Sequence, residues 1–552
     1  MPLVWTQIDL LAFVVAAIVG AWALWPGARA LPRATLAWLA ALVLVAAVLR
    51  GLWVPHTVFR GHYNALQQVR VDLKLMAGSD HTNPMMPGGH GAPLAWLARF
   101  VAVDAGVYFG LNVLYGILAV PVAFAALRTW FRGDDRAALG GAALLALDPV
   151  HARCSASEDP MALAALCAWC GFLGLALALR RGRAAWLLLA ASALGFSLAV
   201  KTDSVMVAVG LAGVALCDGL RGRWTRPVDR AALAAALAWF AASLVALGWN
   251  VARHPDYLEH RQYLGMPALQ YLLHAAWFPV ALVVHNPLID PRYAPLATSL
   301  LVLLGIVLGL RGRWREVAGW LGCLAILFVR VYQDFPLPFD DALGMHGGVK
   351  GDVRWNLHAS VPWLALAASG IQQACGYVRA PWARAALAAL ALAGLFPTRH
   401  FWRHQWADQR EAGVVLAAAR SLSVPCVLVT PRLEGAEDHR TPFVDPTLPL
   451  LLANLENPRW RDVPRLHPEE LAPDDPRRFC TVFYRGLGCY VWPIDARPAP
   501  SRGERPECRR LFVGGGLVPV RGLTLRARYE DYSAFHVFSP VVELGFYRLD
   551  ME

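Results

Sequence analysis

Read from its N-terminus, the chain alternates long apolar runs with short clusters of arginine. Most of the runs at 36–49, 231–251, 296–310 and 357–371 show no polar face at helical spacing. Their lengths approach the ~20 residues an α-helix needs to cross ~30 Å of hydrocarbon. Spans are predicted at roughly 10–26, 34–54, 106–127, 137–150, 160–179, 184–200, 204–217, 231–251, 296–310, 316–330, 356–373 and 383–397. The apolar stretch 266–288 carries His274, His285 and several prolines, and reads as a re-entrant or interfacial pair of helices.

After Pro397 the pattern changes. Residues 404–422 read as an amphipathic helix and 424–430 as a short buried strand. The alternating segments 480–484, 490–493, 509–513, 524–529 and 535–539 read as further strands. Two domains are therefore expected, a membrane domain over 1–397 and a small soluble α/β or α+β domain over 398–552.

Composition agrees with this division. Hydrophobic residues make up 57% and charged residues 16% of the chain, and its mean hydropathy is +0.42, values outside the range of soluble globular proteins. The net charge of +11 does not imply nucleic acid, because the arginines lie between apolar runs and build no basic stripe. Residues 1–9 put no basic residue ahead of the first run, so it is read as a retained span, not a cleaved signal, despite Ala28-Arg29-Ala30.

Placing alternate loops on one side gathers Arg29/Arg33, Arg128/Arg132/Arg136, Arg180/Arg181/Arg183, Arg221/Arg223/Arg226/Arg230, Arg311/Arg313/Arg315 and Arg379/Arg384 together. By the positive-inside rule that side is cytoplasmic, and the C-terminal domain then faces outward. In that oxidising compartment Cys426, Cys480, Cys489 and Cys508 are expected to form at least one disulfide. Cys480 and Cys489 flank a short turn and are the pair expected by proximity. Cys167-x-x-Cys170 lies inside an apolar span and reads as buried small residues.

Four local patterns follow one another in order. A span ending in Arg50 and Pro55 leads into a long outer loop closed by Gly89-His90-Gly91-Ala92-Pro93-Leu94. Next comes Leu147-Asp148-Pro149-Val150-His151, followed by Glu158-Asp159 before another span. A later helix closes with Gly195 through Lys201-Thr202, and Arg354-Trp355-Asn356-Leu357 through Pro362-Trp363-Leu364 opens a late span. Together these resemble the polytopic glycosyltransferases that use lipid-phosphate sugar donors, the GT-C group that includes bacterial aminoarabinose and protein O-mannosyl transferases. The resemblance covers about 35–397 and implies an all-α polytopic membrane domain of about twelve transmembrane helices. One feature departs from the family: where an early acidic pair is expected, this chain has Arg60-Gly61-His62-Tyr63, and no acid before Asp72.

Sugar transfer from a polyprenyl phosphate needs a carboxylate for the acceptor hydroxyl and cations for the departing phosphate. Asp72, Asp80, Glu158 and Asp159 are the catalytic candidates, and Lys201, Arg354, His90 and His62 the substrate-binding ones. Each also has a plainer role. Lys201 and Arg354 suit snorkelling to headgroups, and Glu158-Asp159 before Pro160 suits a helix start. A divalent metal such as Mg or Mn is compatible with this chemistry. However, His62, His81, His90, Asp72 and Asp80 lack a fixed ligand spacing and read more simply as loop residues. Asp340-Asp341 with His346 is read as solvated loop.

The expectation is a multi-pass protein of a bacterial inner membrane that passes a sugar from a polyprenyl-phosphate donor to a glycan, lipid or protein acceptor. Its alternative is a non-catalytic relative that binds or scaffolds a lipid-linked glycan. A transporter comes third, since no inverted repeat is visible.

Overall fold

The computed structural model describes residues 2–53, 68–69, 71–72, 75–76, 87–103, 105–218, 224, 226–253, 296–332, 357 and 359–377, and short strands between 427 and 549. The helices are α1 (Pro2–Arg29), α2 (Arg33–Val48), α3 (Gly91–Leu97), α4 (Ala105–Trp130), α5 (Asp135–Leu147), α6 (Pro149–Ser155) and α7 (Met161–Arg181). They continue as α8 (Leu187–Val200), α9 (Ser204–Asp218), α10 (Pro227–Ala252), α11 (Leu296–Gly312), α12 (Trp314–Tyr332) and α13 (Ser360–Tyr377).

Five stretches among the described residues are long and apolar enough to cross a membrane: Val4–Arg29, Arg33–Leu52, Gly106–Trp130, Met161–Arg181 and Pro227–Ala252. α1, α2 and α10 turn large apolar side chains such as Ile18, Trp22, Leu44 and Val245 outward, as lipid-facing helices do. α7 is buried from Met161 to Leu179 and packs against α4 and α8. Small residues permit that closeness: a Cβ on Gly174 would sit 2.6 Å from the backbone nitrogen of Ala190 in α8. α11 and α13 cross in the same way at Gly305 and Gly370, each set against the partner helix's backbone.

The segment predicted as a span at 137–150 is instead broken. α5 is a 13-residue helix, roughly 20 Å long at about 1.5 Å per residue, too short to cross alone. Asp148 ends it and at once caps α6, its carboxylate accepting the His151 N–H at 2.7 Å, with Pro149 in the first turn.

The two ends of the bundle differ in chemistry. At the arginine-rich end, Trp320 packs edge to face on Trp130 and Phe172, and those two rings are tilted against each other, with centroids 5.1–5.5 Å apart. Arg180 lies 4.3 Å from the Trp130 ring and donates to both oxygens of Asp218, while the Trp130 indole donates to Glu316 at 2.7 Å. At the opposite end the loops bury ionisable side chains.

In the C-terminal region, strands β1 (Val427–Leu428), β2 (Thr481–Tyr484), β3 (Leu517–Pro519) and β6 (Phe546–Leu549) form a mixed sheet in the order β1-β2-β6-β3. β1 and β2 are parallel and the other neighbours antiparallel. β4 (Leu525–Arg528) pairs with β5 (Val541–Leu544). β1, β2 and β4 fall inside the predicted segments 424–430, 480–484 and 524–529; β3, β5 and β6 lie in segments where no strand was predicted. The predicted helix at 404–422, the strands at 490–493, 509–513 and 535–539, the pair at 266–288 and the span at 383–397 lie outside the described residues.

Candidate functional site

Three local features bring side chains together at the end of the bundle opposite the arginine clusters. Tyr108 and Asn112 are polar residues four apart near the start of α4, hence on one helical face, and both are buried. Gln68 and Asp72 share the same spacing in helical residues of the first long loop and are also buried. The third feature is the glycine run before α3. Gly88 adopts φ +95°, and the Gly89 N–H donates to the Ala199 carbonyl of α8 at 2.7 Å. A Cβ on Gly89 would meet the Ala199 carbonyl and Val200 nitrogen at 2.5 Å, and one on Gly91 would meet Asp72 Oδ1 at 2.8 Å. Only residues without side chains let His90 sit between α8 and Asp72.

His90 is 2% exposed and Asp72 0%. His90 Nδ1 lies 2.7 Å from Asp72 Oδ2, which also accepts the Tyr108 hydroxyl at 2.7 Å; Asp72 Oδ1 accepts from Gln68 Nε2 at 2.9 Å. The other imidazole nitrogen, Nε2, lies 3.0 Å from Asn112 Oδ1. Asn112 Nδ2 donates to the Ser157 carbonyl at 2.5 Å and points to that of Asp159 at 3.5 Å. Burial alone would lower the His90 pKa, but Asp72, the hydrogen bonds to Asp72 and Asn112, and the Asp159 charge outweigh it and raise the group above its ordinary value.

Asp159 starts α7: its carboxylate accepts the Met161 N–H at 2.8 Å. That is the helix-start role the sequence offered for it. Glu158 is 1% exposed, and its charge reaches Tyr108. Lys201, 8% exposed, ends α8 two residues beyond Ala199.

A second polar cluster lies alongside. A π-helical turn, Leu49–Trp53, closes α2 and sends Arg50 inward, where it is fully buried. Its guanidinium donates to the carbonyls of Ala146 and Leu145 at 2.8 and 3.0 Å and to His151 Nδ1 at 2.7 Å. Burial and the neighbouring Arg50 charge push His151 well below its ordinary pKa, so it is a neutral ring with its proton on Nε2.

Of the predicted site residues, Asp72, His90, Glu158, Asp159 and Lys201 therefore lie at one end of the bundle. Asp80, His62 and Arg354 lie outside the described residues, as do the side chains of Cys480 and Cys489. Cys167 and Cys170 are buried free thiols. Gln68, Tyr108, Asn112 and the partnership of Arg50 with His151 were not among the expected site residues. The polar pair at 108 and 112 inside an apolar run was the available signal. Among the described residues, the donor set around His90 does not fit a divalent cation. Both His90 nitrogens face acceptors, Asp72 is committed to three donors, and no group of three or more His, Cys, Asp or Glu among the described residues suits a metal.

No protein-family model matches the chain, and no curated protein sequence matches it. Among solved structures, it is similar to the oligosaccharyltransferase AglB of Archaeoglobus fulgidus in complex with an inhibitory peptide and a dolichol-phosphate. The identity is 14%, over 79% of this chain and 65% of that one, with a TM-score of 0.43. A second structure of the Archaeoglobus oligosaccharyltransferase, with Zn and sulfate, has 59% of its length covered at a TM-score of 0.41. The chain thus spans about three fifths of the length of these archaeal proteins. It is also similar to ArnT from Cupriavidus metallidurans bound to undecaprenyl phosphate, at 14% identity over 78% of this chain and 89% of that one, with a TM-score of 0.46.

Proposed function

We propose that the protein is a GT-C-like membrane glycosyltransferase that takes a sugar from a polyprenyl-phosphate donor at the outer face of a bacterial inner membrane. The observation that carries the reading is the gathering of Asp72, His90, Glu158, Asp159 and Lys201 from separate segments, all buried at one end of an apolar bundle. Ionisable groups at such depth are costly and mark functional sites. The order of the four motifs supports it independently.

Within this reading Glu158 is the base for the acceptor hydroxyl. Asp72 already accepts three hydrogen bonds and Asp159 caps α7, so both are better suited to holding the site than to taking a proton. Lys201 supplies positive charge for the departing phosphate. The acceptor is a glycan, lipid or protein hydroxyl, and the C-terminal domain, on the same side of the membrane, helps hold it.

Purified protein in nanodiscs should bind undecaprenyl phosphate. With polyprenyl-phosphate sugars extracted from bacterial membranes, and cell-envelope extract as acceptor, it should release free polyprenyl phosphate. Glu158→Gln should stop release and keep binding; Lys201→Ala should weaken binding. Absence of binding would overturn the reading. Binding without release would favour the scaffold, which the missing early acid pair and the fully engaged Asp72 also favour. A C-terminal alkaline phosphatase fusion should be active, and an inactive one would reverse the topology.

A further inference from the structure

We infer that His90 is a standing imidazolium whose task is to position the turn that carries Glu158, acting through Asn112. The consequence for catalysis rests on the transferase reading; the protonation and positioning do not.

Asn112 Nδ2 faces the carbonyl oxygens of Ser157 and Asp159, which can only accept, so the amide orientation is fixed with Oδ1 toward His90. His90 Nε2 must then carry a proton. The other nitrogen, Nδ1, faces the carboxylate of Asp72 at 2.7 Å, and it must carry one too. Gln68 is oriented by the same logic: its Nε2 donates to Asp72 Oδ1, so it brings an N–H, not an acceptor, near His90 Nδ1 at 3.5 Å. A ring with both nitrogens donating is cationic.

The charged and titratable groups around it come from every packed element. Those that act on the ring are Asp72 from the first loop, Tyr108 on α4 with its ring edge-on at 6.1 Å, and Asp159 from the turn before α7; Glu158 acts on Tyr108, and Lys201 follows Ala199, the α8 residue that Gly89 bonds, by two positions. Both charges that act directly on the ring, Asp72 and Asp159, are carboxylates. With no lone pair left, the imidazolium can neither ligate a metal nor accept a substrate proton. What it does is hold the Asn112 oxygen, so that the Asn112 N–H pair holds the carbonyls on both sides of Glu158. His90 is therefore a positioning residue. The likeness of Gly89-His90-Gly91 to a family motif takes on a physical reason: the glycines admit the ring, and the ring fixes a turn more than sixty residues away.

The test uses the full chain in nanodiscs with 15N-labelled histidine, read by solid-state NMR up to about pH 8.5, roughly two units above the ordinary histidine value. One imidazole should keep two N–H groups there. That signal should vanish in His90→Gln and collapse to a neutral ring in Asp72→Asn. His151 is the internal control, because Arg50 donates to its Nδ1 and fixes it as neutral. A wild-type spectrum in which every ring has a bare nitrogen at that pH overturns the inference without any variant having to fold.

The positioning half is read by backbone hydrogen exchange over 157–161. Asn112→Asp keeps an acceptor for His90 but removes the donor to Ser157, so exchange there should rise at least tenfold while α9 is unchanged. Unchanged exchange over 157–161 overturns the positioning role. If transfer is measurable, the same variant should lower kcat by roughly 100-fold with little change in KM for the lipid donor. Failure of transfer in the wild-type protein would sink the transferase reading and leave the spectra and exchange to decide this one.

Discussion

Replacing Arg50 by alanine tests whether the end of the bundle opposite the arginine clusters is held together by one buried cation. The side chain is fully buried and makes three short contacts, to Ala146, Leu145 and His151, at 2.8, 3.0 and 2.7 Å. Hydrogen bonds to a charged group contribute about 1.5–3 kcal/mol each. The gross loss is then roughly 5–9 kcal/mol. Part is offset, because alanine no longer carries the cost of burying a guanidinium. What remains is two carbonyls at the end of α5 and an imidazole nitrogen with a lost donor, plus the space of a large side chain. A net cost of about 3–5 kcal/mol is expected. At roughly 2–4 °C per kcal/mol, the thermal midpoint in detergent should fall by about 6–10 °C or more. Arg50→Lys should recover only part, since an ammonium cannot reach the carbonyls and the ring in one planar fork. Arg50→Ala within about 1 °C of wild type would refute the reasoning.

Gly89→Ala should destabilise by about 1–3 kcal/mol or misfold the loop, because its Cβ meets backbone atoms of Ala199 and Val200; Gly27→Ala, with nothing within 4 Å, should be neutral or mildly stabilising in the same thermal assay. Arg180→Ala should cost about 1–3 kcal/mol through loss of the Asp218 pair and the Trp130 contact, with Arg180→Lys intermediate; equal midpoints for the two variants would count against the planar stacking geometry. The His90 pKa is raised in the folded protein, so its contribution is fully present below the unfolded value of about 6.5 and fades as pH rises through the folded one. The thermal midpoint should therefore drop on the alkaline side, and Asp72→Asn should flatten that drop; a parallel pH profile in the variant would show that the pair is not its source.

The helices were legible because bilayer thickness leaves few solutions for a long apolar run. The predicted 106–127 and 160–179 lie inside the observed Ala105–Trp130 and, to within a residue, Met161–Arg181. The miss at 137–150 has a local cause that the sequence did display. Asp148-Pro149 combines a cap and a first-turn proline, a start signal that outranks the hydrophobicity of the run around it. The site was legible only in part. Asp72, His90, Glu158, Asp159 and Lys201 announce themselves as charges beside apolar runs. Their partners Gln68, Tyr108 and Asn112 are uncharged, and apart from Gln68–Asp72, four apart, the contacts join residues 18 to 45 apart in sequence, which no local pattern encodes. Arg50 was noticed as the end of a span, but the π-helical turn that sends it inward is a tertiary outcome.

The two polar clusters make mechanical sense together. Arg50, from α2, grips the last carbonyls of α5 and the first turn of α6 through His151. Asn112, from α4, grips the carbonyls of Ser157 and Asp159 just beyond α6. The short helix is thus fastened at both ends, and α4 lies against its last turn, where a Cβ on Gly116 would run into Ser155. Glu158 stands in the second fastening. If Glu158 is the base of the proposed transfer, this fastening of its backbone is what would hold it near its working position. The opposite charge states of the two histidines fit the same division of labour. His151 stays neutral because a cation uses it as an acceptor, and His90 is cationic because a carboxylate and an amide oxygen both use it as a donor. Exchanging either environment would release one end of α6, and Glu158 with it.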